Sequence, residues 1–297
     1  MKKIVICLAL IVFCVAIATG LAYAGGDGGL LVGVYPALLI CAAIAFAVQW
    51  LAFIPAYLFQ TEHYYDLTGS ATYVIIILLA LYLGGSEQAS GLDGRSVLLA
   101  ALVVIWAARL GPFLFRRVKQ AGKDGRFDEI KVSWPRFLLT WTLQGLWVFV
   151  TLVAALTAMT SQHTQPLGFM ALLGGLVWLL GFGLEVVADG QKSAFNKQTE
   201  NAGKFINVGL WRWSRHPNYF GEIVLWLGIA LIALPVFQGW QWLSLISPVF
   251  VTLLLTRISG VPLLEKRADK KWGGNADYES YKRETSVLIP RPPKNGL

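Results

Sequence analysis

The sequence predicts an all-α fold, a multi-span integral membrane bundle of seven or eight transmembrane helices. Three observations carry this. Of the 297 residues, 56% are hydrophobic and only 14% are charged, against about 45–50% and roughly 25% in soluble chains. The mean hydropathy is +0.59, a surplus that a soluble core cannot absorb because its surface must still be covered by polar groups. The apolar residues also come in continuous Leu/Ala/Ile/Val-rich runs without period-2 alternation, which reads as helices and not as a transmembrane barrel.

A hydrocarbon core about 30 Å thick takes roughly 20 residues per helix. Eight spans are expected, at 4–24, 31–58, 69–84, 96–115, 136–158, 167–188, 219–236 and 243–260, the third and seventh short. The first has a rival reading. Lys2-Lys3, an apolar run and Ala22-Tyr23-Ala24 fit a cleavable signal peptide as well as a retained helix, and the length of the run favours the helix. The chain then divides into 1–30, this first helix or signal-like segment, and 31–297, a membrane domain with polar loops and tail. Cys7, Cys14 and Cys41 lie inside apolar runs and read as small buried hydrophobes. With no CxxC pair and with His63, His163 and His216 scattered, no metal site is expected.

The net charge of +8 points to anionic lipid and membrane orientation, not to nucleic acid. Lys and Arg crowd alternate connectors: Lys2 and Lys3, the link from Arg116 to Arg136, the link from Lys192 to Arg215, and the tail from Lys266 to Lys294. The opposite connectors, 25–30, 85–95, 159–166 and 237–242, hold Arg95 alone. By the positive-inside rule the C-terminus is cytoplasmic.

Ionisable residues within spans are the best pointers to function, because each costs about 2.5–3.5 kcal/mol at the bilayer centre. Arg109 lies two turns before Arg116 on one face, roughly 10 Å deeper, too deep for simple snorkelling. Glu185, Asp189 and Lys192 recur at i, i+4 and i+7 at the end of the sixth span, either a helix-end ion pair or one wall of a cavity. The seventh span opens Ser214-Arg215-His216-Pro217-Asn218-Tyr219-Phe220-Gly221-Glu222. Pro217 suits a helix start. Asn218, Glu222 and Trp226 then share a stripe that fits a carboxamide or a ribose, unless Asn218 only caps the helix and Glu222 only pairs with Arg257.

The run from Gly209-Leu210-Trp211 through Arg215-His216-Pro217-Asn218-Tyr219-Phe220-Gly221-Glu222 resembles the steroid 5-alpha-reductase superfamily. Asp189-Gly190-Gln191-Lys192, Tyr278-Glu279-Ser280-Tyr281-Lys282 and Leu288-Ile289-Pro290 look like further pieces of the same domain, and Trp106-x-x-Arg109 and Lys123-Asp124-x-Arg126-Phe127 look like its bacterial branch. The resemblance implies NADPH in a cytoplasm-facing cavity, hydride transfer to a conjugated C=C bond of a lipophilic substrate, and a bacterial inner membrane. It also implies a cofactor set of Asp189, Lys192, Arg215, Asn218, Tyr219, Glu222, Tyr278 and Tyr281, which the residues' own placement extends to Arg109, Glu185 and His216. The match weakens at the substrate end, where steroid-reducing relatives present Gln-Glu and a tyrosine and this chain has Gln60-Thr61-Glu62 and Trp106. A steroid substrate is therefore not implied.

Gln60, Glu62 and Trp106 stand as the catalytic candidates, with Tyr64 and Tyr65 beside them in a pocket open to lipid. A neutral Glu62 would donate to a carbonyl, its ionisation opposed by Asp66 at i+4; alternatively 60–67 is only a polar connector. A rival class shares several motifs: membrane methyltransferases of the isoprenylcysteine and phospholipid type carry Arg-His-Pro-x-Tyr-x-Gly and use S-adenosylmethionine. The Asn218–Glu222 run and the Asp189–Lys192 element favour the reductase. A non-enzymatic lipid-binding scaffold, the third class, would not need that stripe.

Overall fold

The computed structural model describes residues 2–87 and 92–292. Residues 88–91 of the 85–95 connector, and Lys294 of the basic tail, lie outside the described residues. Eight helices among those described are long and apolar enough to cross a membrane, and the chain is an integral membrane protein. They are α1 (Lys2–Gly25), α2 (Ala37–Leu58), α3 (Tyr65–Glu87), α4 (Gly94–Ala121), α5 (Trp134–Thr160), α6 (Phe169–Lys197), α7 (Pro217–Ala233) and a broken eighth. The break is one of helix type. Gly239–Leu245 is a 3₁₀ segment, α8 covers Ile246–Leu253, and Leu254–Ile258 widens to a π-helix. Two amphipathic helices follow, α9 (Val261–Trp272) and α10 (Ala276–Glu284).

Several boundaries shift from expectation, α4 running on to Ala121 and α6 to Lys197, and three departures have a local cause. The second span starts at Ala37, because 31–36 turn back as a two-residue hairpin, β1 (Leu31–Val32) against β2 (Tyr35–Pro36), about Gly33 at φ 64°. The third span is full length. Tyr65, Asp66 and Thr68 are helical, and Thr68 and Thr72 each return a hydroxyl to the carbonyl four residues back, which removes the polar cost of carrying them into the bilayer. Arg95 is no solvated connector charge. It is 2% exposed, and its guanidinium donates to the carbonyls of Ile232, Gln165 and Pro166.

The chain divides into two compact units. The first runs to Ala171 and takes up Ile232–Ser247; the second has Leu172–Leu231 and the chain from Pro248. In the first unit α5 is the central helix, packed on α1, α2, α3 and α4 and buried almost continuously from Gly145 to Thr160. Phe127, Phe137, Trp141 and Ala56 form a core under its first turns, with Tyr64 and Tyr65 against it. Cys7, Cys14 and Cys41 are free and buried, as read from the sequence.

The second unit is built on glycine. A Cβ on Gly181 would come within 2.6 Å of the Gly221 carbonyl oxygen, one on Gly221 within 2.7 Å of Glu185 N, and one on Gly228 within 2.6 Å of Gly174 O. Gly174 and Gly181 on α6, and Gly221 and Gly228 on α7, thus repeat every seven residues and bring the two backbones into contact, the small-residue packing that lipid-embedded helices favour. Two turns of sequence carry that same α6 face on to Asp189.

Candidate functional site

The glycine seam of the second unit ends in polar side chains. Glu185 and Asp189 follow Gly181 along α6 and are 2% and 7% exposed. From α7 the Asn218 Nδ2 donates to Asp189 Oδ1 at 3.2 Å. Asn218 therefore bridges two helices and does not cap its own. The third member of the α6 stripe, Lys192, places its ammonium 4.4 Å from the centre of the Trp211 ring, a cation–π contact. Trp211 is itself pinned by an indole N–H to Ala188 O at 2.9 Å, and packs with Ala188 and Ile206.

A second layer comes from the segment before α7 and from the tail. Arg215 Nη1 lies 3.0 Å from Glu265 Oε2, and His216 Nε2 lies 2.8 Å from Glu265 Oε1, so one α9 carboxylate holds both. Burial pushes the His216 imidazole below its ordinary range, and the hydrogen bond to Glu265 only partly offsets that. In the neutral ring Nε2–H donates to Glu265, which leaves Nδ1 as an acceptor. Nδ1 of His216 and Nε of Arg215 are buried and have no hydrogen-bond partner within the protein. Tyr219 stacks on His216 with ring centres 5.8 Å apart.

The tail is fastened over this layer. Ser214 donates to Leu288 O, Arg215 N donates to Ser286 O, and Tyr281 donates to Trp211 O at 2.6 Å. Tyr278 donates to Asp269 Oδ1 at 3.0 Å, and Lys282 pairs with the same carboxylate at 2.6 Å. Desolvation raises the phenol pKa of both Tyr278 and Tyr281. Phe205 packs against the rings of Trp272, Tyr278 and Tyr281.

Of the eleven cofactor candidates, ten lie in this unit: Glu185, Asp189, Lys192, Arg215, His216, Asn218, Tyr219, Glu222, Tyr278 and Tyr281. Arg109 lies in the first unit, half-buried, with its guanidinium 5.1 Å from the Phe113 ring centre. Glu265 and Asp269 were missed by the sequence reading. The signal was present: the pair Arg215-His216 needs a counter-ion, and these two acids stand one turn apart in the otherwise basic run 264–272.

The three catalytic candidates have different settings, all in the first unit. Gln60 is exposed on a turn at φ 51°, its amide donating to Tyr57 O. Trp106 is buried edge-on against Tyr73, 5.0 Å between ring centres. Glu62 departs from the expected hydrogen-bond donor in an open pocket. It is buried and its carboxylate meets Lys131 Nζ at 2.6 Å and the Asp124 N–H at 3.0 Å. Asp66 does not oppose it but faces Arg126, at 3.9 Å. Glu62 thus fastens the 122–133 connector onto the α2–α3 turn.

The chain is similar over 120 residues to 3-oxo-5-alpha-steroid 4-dehydrogenase 1 of Bos taurus, 29% identical, with 40% of this chain and 41% of that protein covered. It is likewise 29% identical over 119 residues to steroid 5-alpha-reductase DET2 of Gossypium hirsutum, covering 40% and 41%. An uncharacterized protein of Schizosaccharomyces pombe is 24% identical over 186 residues, 52% of this chain and 54% of that one. The chain therefore spans between two fifths and just over half of the length of these relatives. They place it in the steroid 5-alpha-reductase-like superfamily. Within that class it belongs to the family described as "Protein of unknown function (DUF1295)", whose model matches residues 52–285.

Proposed function

We propose that the protein is a membrane-embedded reductase that holds NADPH on the polar layer of its second unit and reduces a conjugated C=C bond of a lipophilic substrate. The observation that carries the reading is the set of buried, uncommitted polar atoms beside the Asn218–Glu222 run: His216 Nδ1 and Arg215 Nε. Unpartnered buried polar groups are costly and point to a ligand that completes them. Their chemistry suits this one. Arg215, with Lys192 and Arg212 in the same unit, fits phosphates, and Asn218 fits a carboxamide. The named activity of the bovine and cotton relatives supports the same class.

In this reading Asn218 and Glu222 orient the nicotinamide end and Arg215 binds the phosphates, while His216 accepts a hydrogen bond through Nδ1. When bound, the nicotinamide supplies the hydride. Glu62 has no acid–base part, since it is committed to Lys131. The tail carries its Lys and Arg on the cytoplasmic side, in a bacterial inner membrane.

The test is a titration of the purified protein with NADPH and, separately, with S-adenosylmethionine. Saturable NADPH binding is expected, weakened about tenfold or more by Asn218→Ala and by Glu222→Gln in folded protein. Binding of the methyl donor alone transfers the chain to the methyltransferase reading, and unchanged NADPH affinity in both variants refutes the assigned stripe.

A further inference from the structure

Among the buried side-chain atoms of the first unit that have no hydrogen-bond partner within the protein, three lie near one another and away from every residue discussed as a cofactor ligand: Gln49 Oε1, Gln144 Oε1 and Trp141 Nε1. Gln49 and Trp141 are fully buried, and Gln144 is buried at that oxygen. They converge on one stretch of α3. Gln49 Nε2 on α2 donates to Thr72 Oγ1 at 2.8 Å, and Gln144 Nε2 on α5 donates to Tyr65 O at 3.1 Å. A Cβ on Gly69 would meet the Gln144 amide, and one on Gly145 would meet the Gln49 side chain at 3.4 Å. The two amides therefore flank α3 about one helical turn apart. Trp141 stands one turn before Gln144 on α5, its ring 5.0 Å from that of Tyr65.

The orientation of both amides is fixed by their partners. Thr72 gives its single proton to Thr68 O at 2.7 Å, so towards Gln49 its oxygen only accepts. Tyr65 O is a carbonyl and also only accepts. Each glutamine must turn its NH₂ to these partners, which leaves its carbonyl oxygen facing away. The uncommitted set is thus two acceptors and one indole donor. The neighbouring polar pair on the same helices is closed by comparison: Trp50 Nε1 donates to Thr142 Oγ1, and Thr142 donates to Leu138 O.

We propose that this set recognises the hydroxyl group of a lipophilic alcohol. A hydroxyl both donates and accepts, so it serves a glutamine oxygen and Trp141 together. A ketone, aldehyde or ether accepts only and leaves both glutamine oxygens bare inside a span, where no water competes for them. Sites built to pair a hydroxyl discriminate strongly against analogues without it. The inference does not rest on the cofactor reading, since it concerns which polar end of a lipid-soluble molecule the first unit accepts.

The experiment uses the full chain in nanodiscs and two tritiated probes, geranylgeraniol and a sterol 3-alcohol, each competed by its own methyl ether. With at least one skeleton the alcohol is expected to bind saturably and at least tenfold more tightly than its ether. Gln49→Met, close in volume, should erase most of that ratio while leaving ether affinity near wild type. Gln144→Met provides a second route if Gln49→Met does not fold. Equal binding of alcohol and ether in the wild-type chain, absence of saturable binding of either alcohol, or a ratio that persists in a folded glutamine variant overturns the proposal. None of these readouts depends on NADPH, so failure here leaves the reductase reading untouched, and the reverse.

Discussion

Among the described residues, two charged clusters are built in opposite ways. Around Glu62 in the first unit, the carboxylates sit at the centre and loop cations close on them: Lys131 on Glu62, Arg126 on Asp124 and Asp66, Lys123 on Asp128. Beneath them is an aromatic core, Phe127, Phe137 and Trp141. Around Glu265 in the second unit, one carboxylate is shared by Arg215 and His216, and each of those still holds a buried polar atom that nothing in the protein meets. A closed cluster fastens a loop; an open one awaits a partner. The number of charges would not separate them, but the fate of each hydrogen-bonding atom does.

The largest expected effect tests whether the second cluster depends on the glycine seam beneath it. Gly181→Ala drives a Cβ into backbone atoms of α7, where no side chain can swing away. Overpacking that side chains can absorb costs about 1–3 kcal/mol; here only backbone could yield, so α6 would part from α7 and the loss exceeds that of any side-chain change below. Loss of folded, detergent-extractable protein and of NADPH binding is expected. Gly183, two residues on, has nothing within 4 Å of a Cβ; Gly183→Ala should leave both intact and raise stability slightly, by up to about 1 kcal/mol. A seam unimportant to the site would make the two variants alike.

Next is the first cluster. Lys131→Met leaves the Glu62 carboxylate, 1% exposed, without its cation. Breaking a buried pair by removing one partner costs about 3–5 kcal/mol. Thermal unfolding in detergent should fall accordingly, with NADPH affinity per folded molecule unchanged. A lost affinity with normal stability would reverse the contrast between the clusters. A smaller effect is expected of Tyr281→Phe, which removes the bond to Trp211 O at about 1 kcal/mol.

The span count, the helix start at Pro217 and the stripes of α6 and α7 were legible in the sequence because hydropathy and 3.6-residue periodicity are local properties. Glu62 was not. Its partner Lys131 lies 69 residues away, and a buried acid reads the same in sequence whether neutralised by a proton or by a lysine. The role of Gln49 and Gln144 was hidden for another reason: an amide inside an apolar run carries no charge to flag it, and only the hydrogen bonds of its neighbours reveal which atom is left over. The hairpin at 31–36 escaped because its residues are as apolar as the span that follows, so composition alone moved the start of α2 to the wrong side of Gly33.

The smallest effect expected is a pH dependence that distinguishes the open cluster from the closed one. Burial lowers the His216 pKa below its ordinary 6.5, so the unfolded chain takes up a proton at a higher pH than the folded chain does. Stability from this group is then complete above about pH 6.5 and declines as pH falls towards the lowered folded value, by at most about 1.4 kcal/mol per pH unit. Protonation also converts Nδ1 from acceptor to donor, so a ligand that donates to it should bind less well over the same window. Unfolding temperature and NADPH affinity measured from pH 7.5 to 5 should therefore fall together in the wild type. In His216→Gln the slope should flatten, because glutamine retains a donor for Glu265 but does not titrate. If the slope survives in that variant, the titrating group lies elsewhere, and the acceptor role assigned to Nδ1 goes with it.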